Sequence, residues 1–190
     1  MTIDRRIQLL SNVFRAGNSE EDVKAITEAT FEDPPRVAKL FLMAQRIAWQ
    51  TPGFFQKKGP GHGDRASAQF MLSLRQAAQG LFGHDLSEKR ACRSANYRFD
   101  FYFPEERTAV EFAFGLCNPL SEYERDIFKC LLAQKEGLQV GRLLFVGKPG
   151  ALSRQGARGP IAIAKFVEHA QGLKVDVIEL LEEKPATIKT

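Results

Sequence analysis

The stretch from Ala91 to Phe114 constrains the fold most. ACRSANYRFDFYF (91–103) and TAVEFAF (108–114) are rich in aromatic and β-branched residues, and Pro104-Glu105-Glu106-Arg107 lies between them. That pattern predicts two antiparallel strands joined by a short turn. Each run carries one acid in its interior, Asp100 in the first and Glu111 in the second. Because strand side chains alternate, Asp100 shares a face with Arg98 and Tyr102, and Glu111 shares one with Ala113. Adjacent strands can therefore bring the two carboxylates to one point.

Around this hairpin the periodicity switches repeatedly. SAQFMLSLRQAAQGLFG (67–83) spaces Phe70, Met71, Leu74, Ala77, Ala78 and Leu81 as a helix and stops on a glycine. SEYERDIFKCLLAQKEG (121–137) reads as a helix with Ser121 as N-cap, acids in its first turn and Gly137 at its end. GRLLFVG (141–147) reads as a buried strand, 159–172 as a helix and 174–182 as a last strand, with a fraying tail after it. The expected order from residue 67 is α-β-β-α-β-α-β, an α/β core. Before it, residues 4–16, 20–31 and 34–50 have helical periodicity, and TPGFFQKKGPGHGDRAS (51–67) is a loop rich in Gly, Pro and Lys. The chain thus reads as a single domain over 1–190, with an N-terminal helical subdomain at 1–55 and the core at 66–183.

Composition narrows the function. Apolar residues make up 44% and charged residues 26% of the chain, which fits a soluble globular protein and not a disordered one. No apolar run is long enough for a membrane span, and the N-terminal stretch meets charge too soon for a secretory signal, so the expectation is a cytoplasmic protein without membrane partners. Cys92, Cys117 and Cys130 have no C-x-x-C spacing and read as reduced thiols. Nucleotide-binding glycine motifs, H-E-x-x-H and G-x-S-x-G are all missing, so no nucleotide cofactor, zinc protease or serine hydrolase chemistry is indicated. The net charge is +4, and between Gly137 and Val167 five basic residues (Arg142, Lys148, Arg154, Arg158, Lys165) stand without a single acid. Such a stretch suits a polyanion, because neutralising phosphates releases counterions. It also suits a plain solvated surface.

Two acids between aromatic strands are tolerated when a cation neutralises them, and oxygen-only ligation suits Mg²⁺ or Mn²⁺. A metal so held could activate water and stabilise charge in phosphodiester hydrolysis. The residues alone leave a second arrangement open, in which Asp100 and Glu111 lie on the solvent face of the hairpin, paired with Arg98 or Arg107.

The stretch YRFDFYFPEERTAVEFAFGLCNPLSEYERDIFK resembles the active-site core of PD-(D/E)XK nucleases: Asp in one strand, Val-Glu-Phe-Ala-Phe in the next, then a helix. Within that superfamily it is most similar in pattern to the BglII and BamHI branch of type II restriction endonucleases, over residues 84–170. The resemblance implies a restriction-endonuclease-like α/β core, a central mixed sheet flanked by helices. It implies a Mg²⁺- or Mn²⁺-dependent endonuclease, a homodimer acting on double-stranded DNA. Asp100 and Glu111 match the metal-binding carboxylates, and the Phe112 carbonyl falls where the family adds a ligand.

Ala113 occupies the position of the family's Lys, which helps orient the attacking water. In some members a residue on the following helix takes over, and here Lys129 is the candidate, within a polar stripe of Glu122, Arg125 or Asp126, and Lys129. The same lysine could simply be solvated. His84, as a general base or a support to the site, and Asp85, as a further ligand, fall near a polar position of the branch, although both also fit an ordinary turn after Gly83. The loop 147–160, with Lys148, Arg154 and Arg158, lies where the branch reads DNA, and Arg142, Lys57 and Lys58 add to the expected DNA-binding set. The alternatives are a DNA-binding or assembly protein with a weakened nuclease site, favoured by Ala113, and a repair nuclease without sequence preference.

Overall fold

Three short-range patterns set the architecture: a polar edge, two aromatic strands, and two helix-linked apolar strands. The computed structural model describes residues 36–56, 65–114, 119–151, 153 and 158–182. The expected helices at 4–16 and 20–31, together with Lys57, Lys58 and Arg154, lie outside the described residues. The elements are α1 (Arg36–Gln50), α2 (Arg65–Phe82), β1 (Ser87–Arg90), β2 (Arg98–Phe103), β3 (Thr108–Phe112), α3 (Pro119–Lys135), β4 (Arg142–Gly147), α4 (Arg158–Gln171) and β5 (Lys174–Glu179). The strands form one five-stranded sheet in the order β1-β2-β3-β4-β5. Its first three strands are antiparallel neighbours, and β3-β4 and β4-β5 are parallel, each parallel pair linked through a helix. The expected α/β class with a mixed sheet is therefore observed.

Two details differ from the sequence reading. The strand expected from Ala91 begins only at Arg98, and a separate edge strand, β1, precedes it. Its four residues, SEKR, have no apolar alternation to betray them. Helix α3 starts at Pro119 and not after Ser121. Proline fits a first helical turn, where its missing N–H has no intrahelical partner to lose.

The chain divides into two compact units, one containing Arg75–Leu180 and the other the remaining residues. In the second, α1 buries Val37, Leu40, Phe41, Ala44, Ile47 and Ala48 at helical spacing. Phe54 stacks on Phe70 with ring centroids 4.5 Å apart. Gln45 there acts as a substitute strand partner, accepting from Leu181 N at 2.7 Å and donating to Leu181 O at 2.9 Å.

In the sheet unit, one core joins Tyr102 and Ala109 of the hairpin, Leu143 and Phe145 of β4, and Val175 and Val177 of β5 to Tyr123, Ile127, Cys130 and Ala133 of α3 and Val167 of α4. Tyr123 stacks on Phe145 at 5.1 Å. Helix α2 ends at Gly83, whose φ of +74° closes the last turn in a conformation that side-chain-bearing residues avoid. A Cβ on Gly147 would collide with the Ala151 side chain, so β4 can turn this tightly only with glycine at its end. No helix among the described residues is long and apolar enough to cross a membrane.

Candidate metal centre

Asp100 and Glu111 come together because the hairpin register puts them there. The last β2-β3 ladder pair toward the open end is Phe101 with Val110, and the next residues outward are Asp100 and Glu111. At that step the ladder gives way to a side chain: Asp100 Oδ2 accepts from Phe112 N at 2.9 Å. The carboxylate takes the place of a strand carbonyl, which fixes it beside Glu111 while its other oxygen stays outside this bond.

Glu111 is only 6% exposed, and on α3 Lys129 is equally buried. Lys129 Nζ donates to Glu111 Oε1 at 2.7 Å and to the Arg98 carbonyl at 2.9 Å, and lies 3.0 Å from Asp126 Oδ1. Its ammonium also sits 5.7 Å from the centre of the Phe99 ring. The lysine is thus brought to the second acid of the pair. The polar stripe expected on α3 is divided: Asp126 and Lys129 turn inward with Tyr123 and Ile127, while the Arg125 side chain is 57% exposed. Mutual neutralisation is what allows the two charged side chains inside.

The electrostatics follow from burial. Loss of water pushes Glu111 well above the usual carboxylate range, the Asp100 charge adds to the rise, and Lys129 opposes it. Burial also raises Asp100, against the Phe112 amide, Lys129 and Arg75. Burial alone disfavours the Lys129 ammonium, but the Glu111 and Asp126 carboxylates outweigh it and hold its pKa above the ordinary lysine value. At neutral pH Lys129 is a cation and no base.

A second layer was not legible in the sequence. Glu88 of β1, between Ser87 and Lys89, faces Asp100, between Phe101 and Phe99, so Glu88, Asp100 and Glu111 form one row across three strands. Glu88 has φ +50°, an uncommon backbone for a residue with a side chain. Arg75 of α2 pairs with Glu88 and reaches Asp100 Oδ1 at 3.8 Å. Four carboxylates (Glu88, Asp100, Glu111 and Asp126) are therefore served by Arg75 and Lys129, with Arg125, 57% exposed, beside Asp126. Glu111 and Asp126 are buried and share one buried ammonium, with Asp100 partly exposed beside them, and this excess of negative charge fits an added cation. Among the described residues no group of three or more His, Cys, Asp and Glu is arranged to hold an ion. Two carboxylates suit Mg²⁺ or Mn²⁺, which retain waters, better than a metal that needs a full protein cage.

The remaining candidates are placed as follows. Phe112 ends β3, one residue beyond Glu111. Lys148 follows the last residue of β4 and lies 5.4 Å from the Phe114 ring, at the same end of the sheet as the acids. Arg158 opens α4. Arg142 is taken out of the expected DNA-facing set: it lies at the opposite end of β4, is 8% exposed, and its guanidinium holds Asp176 Oδ2 at 2.8 Å. His84 is exposed on the turn after α2. Asp85 accepts from Ser87 N and Oγ, at 2.8 and 2.7 Å, and so caps the turn into β1. No family model, curated protein or solved structure matches the chain.

Proposed function

We propose that this chain is a Mg²⁺- or Mn²⁺-dependent endodeoxyribonuclease with a PD-(D/E)XK-type core, in its most specific form a type II restriction endonuclease acting as a homodimer on double-stranded DNA. The observation that carries the reading is Lys129 Nζ on Glu111 Oε1 at 2.7 Å. A site with Ala113 at the usual lysine position lacks a cation in that strand, and a buried lysine from the next helix supplies one to the same carboxylate. Asp100 and Glu111, with the Phe112 carbonyl, are the groups that would hold the metal.

A divalent cation in that place supplies Lewis acidity and lowers the pKa of water. The chain's own residues do the rest. The Phe112 amide orients Asp100, and Lys129 orients Glu111, so neither carboxylate has to be ordered when substrate arrives. Lys129, held protonated and bound to Glu111, the Arg98 carbonyl and Asp126, acts on the reaction through Glu111, whose orientation and charge it sets as water adds to phosphorus and the sugar oxygen leaves. Lys148 and Arg158 supply phosphate contacts.

The test is plasmid DNA incubated with the protein and Mg²⁺, with and without EDTA, against Asp100→Ala and Lys129→Ala. Fragmentation stopped by EDTA and lost in Asp100→Ala supports the proposal. Uncut DNA with a gel shift would instead assign the fold to DNA binding alone.

A further inference from the structure

Lys129 has three N–H donors, and three acceptors surround it: Glu111 Oε1 at 2.7 Å, the Arg98 carbonyl at 2.9 Å and Asp126 Oδ1 at 3.0 Å. The ammonium is saturated. It has no donor left for water or phosphate unless one of these bonds opens, so its orientation depends on the acceptor opposite Glu111. That acceptor is Asp126, 4% exposed, one helical turn before Lys129. Arg125 Nε approaches the same oxygen at 3.4 Å, but its side chain is largely in solvent.

A buried carboxylate on this face of α3 is poorly explained by stability. Its neighbours Tyr123, Ile127 and Cys130 are buried core residues, and an apolar side chain would extend that core without desolvating a charge. What Asp126 does is divide one ammonium between two carboxylates. Without it, Lys129 would settle wholly on Glu111 and neutralise it. With it, Glu111 keeps part of its negative charge, and the cation-binding pair stays electron-rich.

We infer that Asp126 is a positioning residue that acts through Lys129 to set the charge and orientation Glu111 presents to a divalent cation. The inference rests on the metal-centre reading above and deepens it: Asp126, Lys129 and Glu111 work as one unit, and the contact with the cation is made by Glu111 alone. Second-layer partners of metal ligands commonly change metal affinity by about 10- to 100-fold when removed. Asp126→Asn keeps the shape and an acceptor oxygen but removes the charge, and it should weaken Mn²⁺ binding by about tenfold.

The experiment uses the full chain labelled with ¹³C, in wild-type and Lys129→Met backgrounds, each with and without Asp126→Asn. The first readout needs no metal: the Glu111 carboxyl carbon resonance at fixed pH, assigned by its loss in Glu111→Gln. Asp126→Asn should move it strongly when Lys129 is present and much less in Lys129→Met, where only the direct charge of Asp126 on Glu111 is left. The second readout is Mn²⁺ titration of the same samples, with Asp100→Asn as control. Asp126→Asn should lower affinity in the wild-type background and by less than about twofold in Lys129→Met, the non-additivity expected of coupled groups. An unmoved resonance, or equal effects in both backgrounds, overturns the positioning role while leaving the metal centre intact. No Mn²⁺ binding by the wild type, or binding indifferent to Asp100→Asn, overturns the metal centre and the inference with it. Thermal unfolding of each variant separates a merely structural effect, which would lower stability alike with and without Lys129.

Discussion

Replacing Lys129 by methionine tests the physics of the site without reference to activity. Methionine can follow the path of the lysine stem, so packing changes little, but Glu111 and Asp126 lose the ammonium that neutralises them. All three side chains are less than 10% exposed, so water replaces little of what is lost. Breaking a buried pair by removing one partner costs about 3 kcal/mol, which for a domain of this size lowers the melting temperature by about 10 °C. The loss should depend on pH. Burial already raises the Glu111 pKa, with Lys129 opposing the rise, so the substitution raises it further. A carboxyl whose folded pKa lies above its unfolded value favours folding at low pH, and that contribution is lost as pH rises through the folded pKa. The gap between variant and wild type is therefore widest on the alkaline side and narrows as pH falls through the raised pKa. Differential scanning calorimetry across that titration measures it. Adding Glu111→Gln to Lys129→Met should recover about 1 kcal/mol, since one of the two stranded carboxylates is removed while Asp126 stays buried without the ammonium. A variant as stable as wild type at neutral pH, or a gap that does not shrink on acidification, would show that Lys129 does not neutralise a buried Glu111.

Other expectations follow from single contacts. Gly147→Ala forces a Cβ into the Ala151 side chain and should cost about 1–3 kcal/mol in chemical denaturation, whereas the same change at Gly80, where a Cβ meets nothing, should be neutral or stabilising. Glu136 accepts from the Arg93 and Ser94 amides and the Ser94 hydroxyl, and these bonds, the hydroxyl first, hold its pKa below the usual value. Hydrogen exchange at both amides should accelerate in Glu136→Ala, and in wild type the added protection should fade only as pH falls through that lowered pKa. Lys148→Ala should weaken DNA binding and reduce the slope of log affinity against log salt by about one, measured by fluorescence anisotropy; an unchanged slope removes Lys148 from the DNA contact.

The hairpin and the parallel strands were legible because their side chains are apolar at the period that burial demands: RFDFYF and TAVEF, then RLLFVG, announce themselves. Strand β1 did not, because an edge strand needs apolar residues on neither face and a charged one discourages pairing with other chains. With β1 unseen, Glu88 and Arg75 could not be connected to Asp100, since that link exists only through the register of Ser87 with Phe101. Lys129 was within reach from its helical spacing and from the gap at Ala113. Its burial was not, because a lysine on an amphipathic helix ordinarily faces water, and only the convergence of Glu111, Asp126 and the Arg98 carbonyl makes the interior habitable for it. Arg142 shows the converse: a basic residue in an acid-free stretch of sequence finds its partner, Asp176, on the neighbouring strand.

Whether the Asp100–Glu111 pair supports metal-dependent DNA cleavage is the question that decides the proposed function. The direct measurement is the single-turnover rate of supercoiled plasmid cleavage in Mg²⁺, for wild type and Asp100→Asn purified in parallel. The expected result is cleavage by wild type that EDTA abolishes, slowed by about 100-fold or more in Asp100→Asn, in line with the loss of a group that holds the charge-stabilising cation. DNA left intact by the wild type, or cut equally fast by Asp100→Asn, would contradict it.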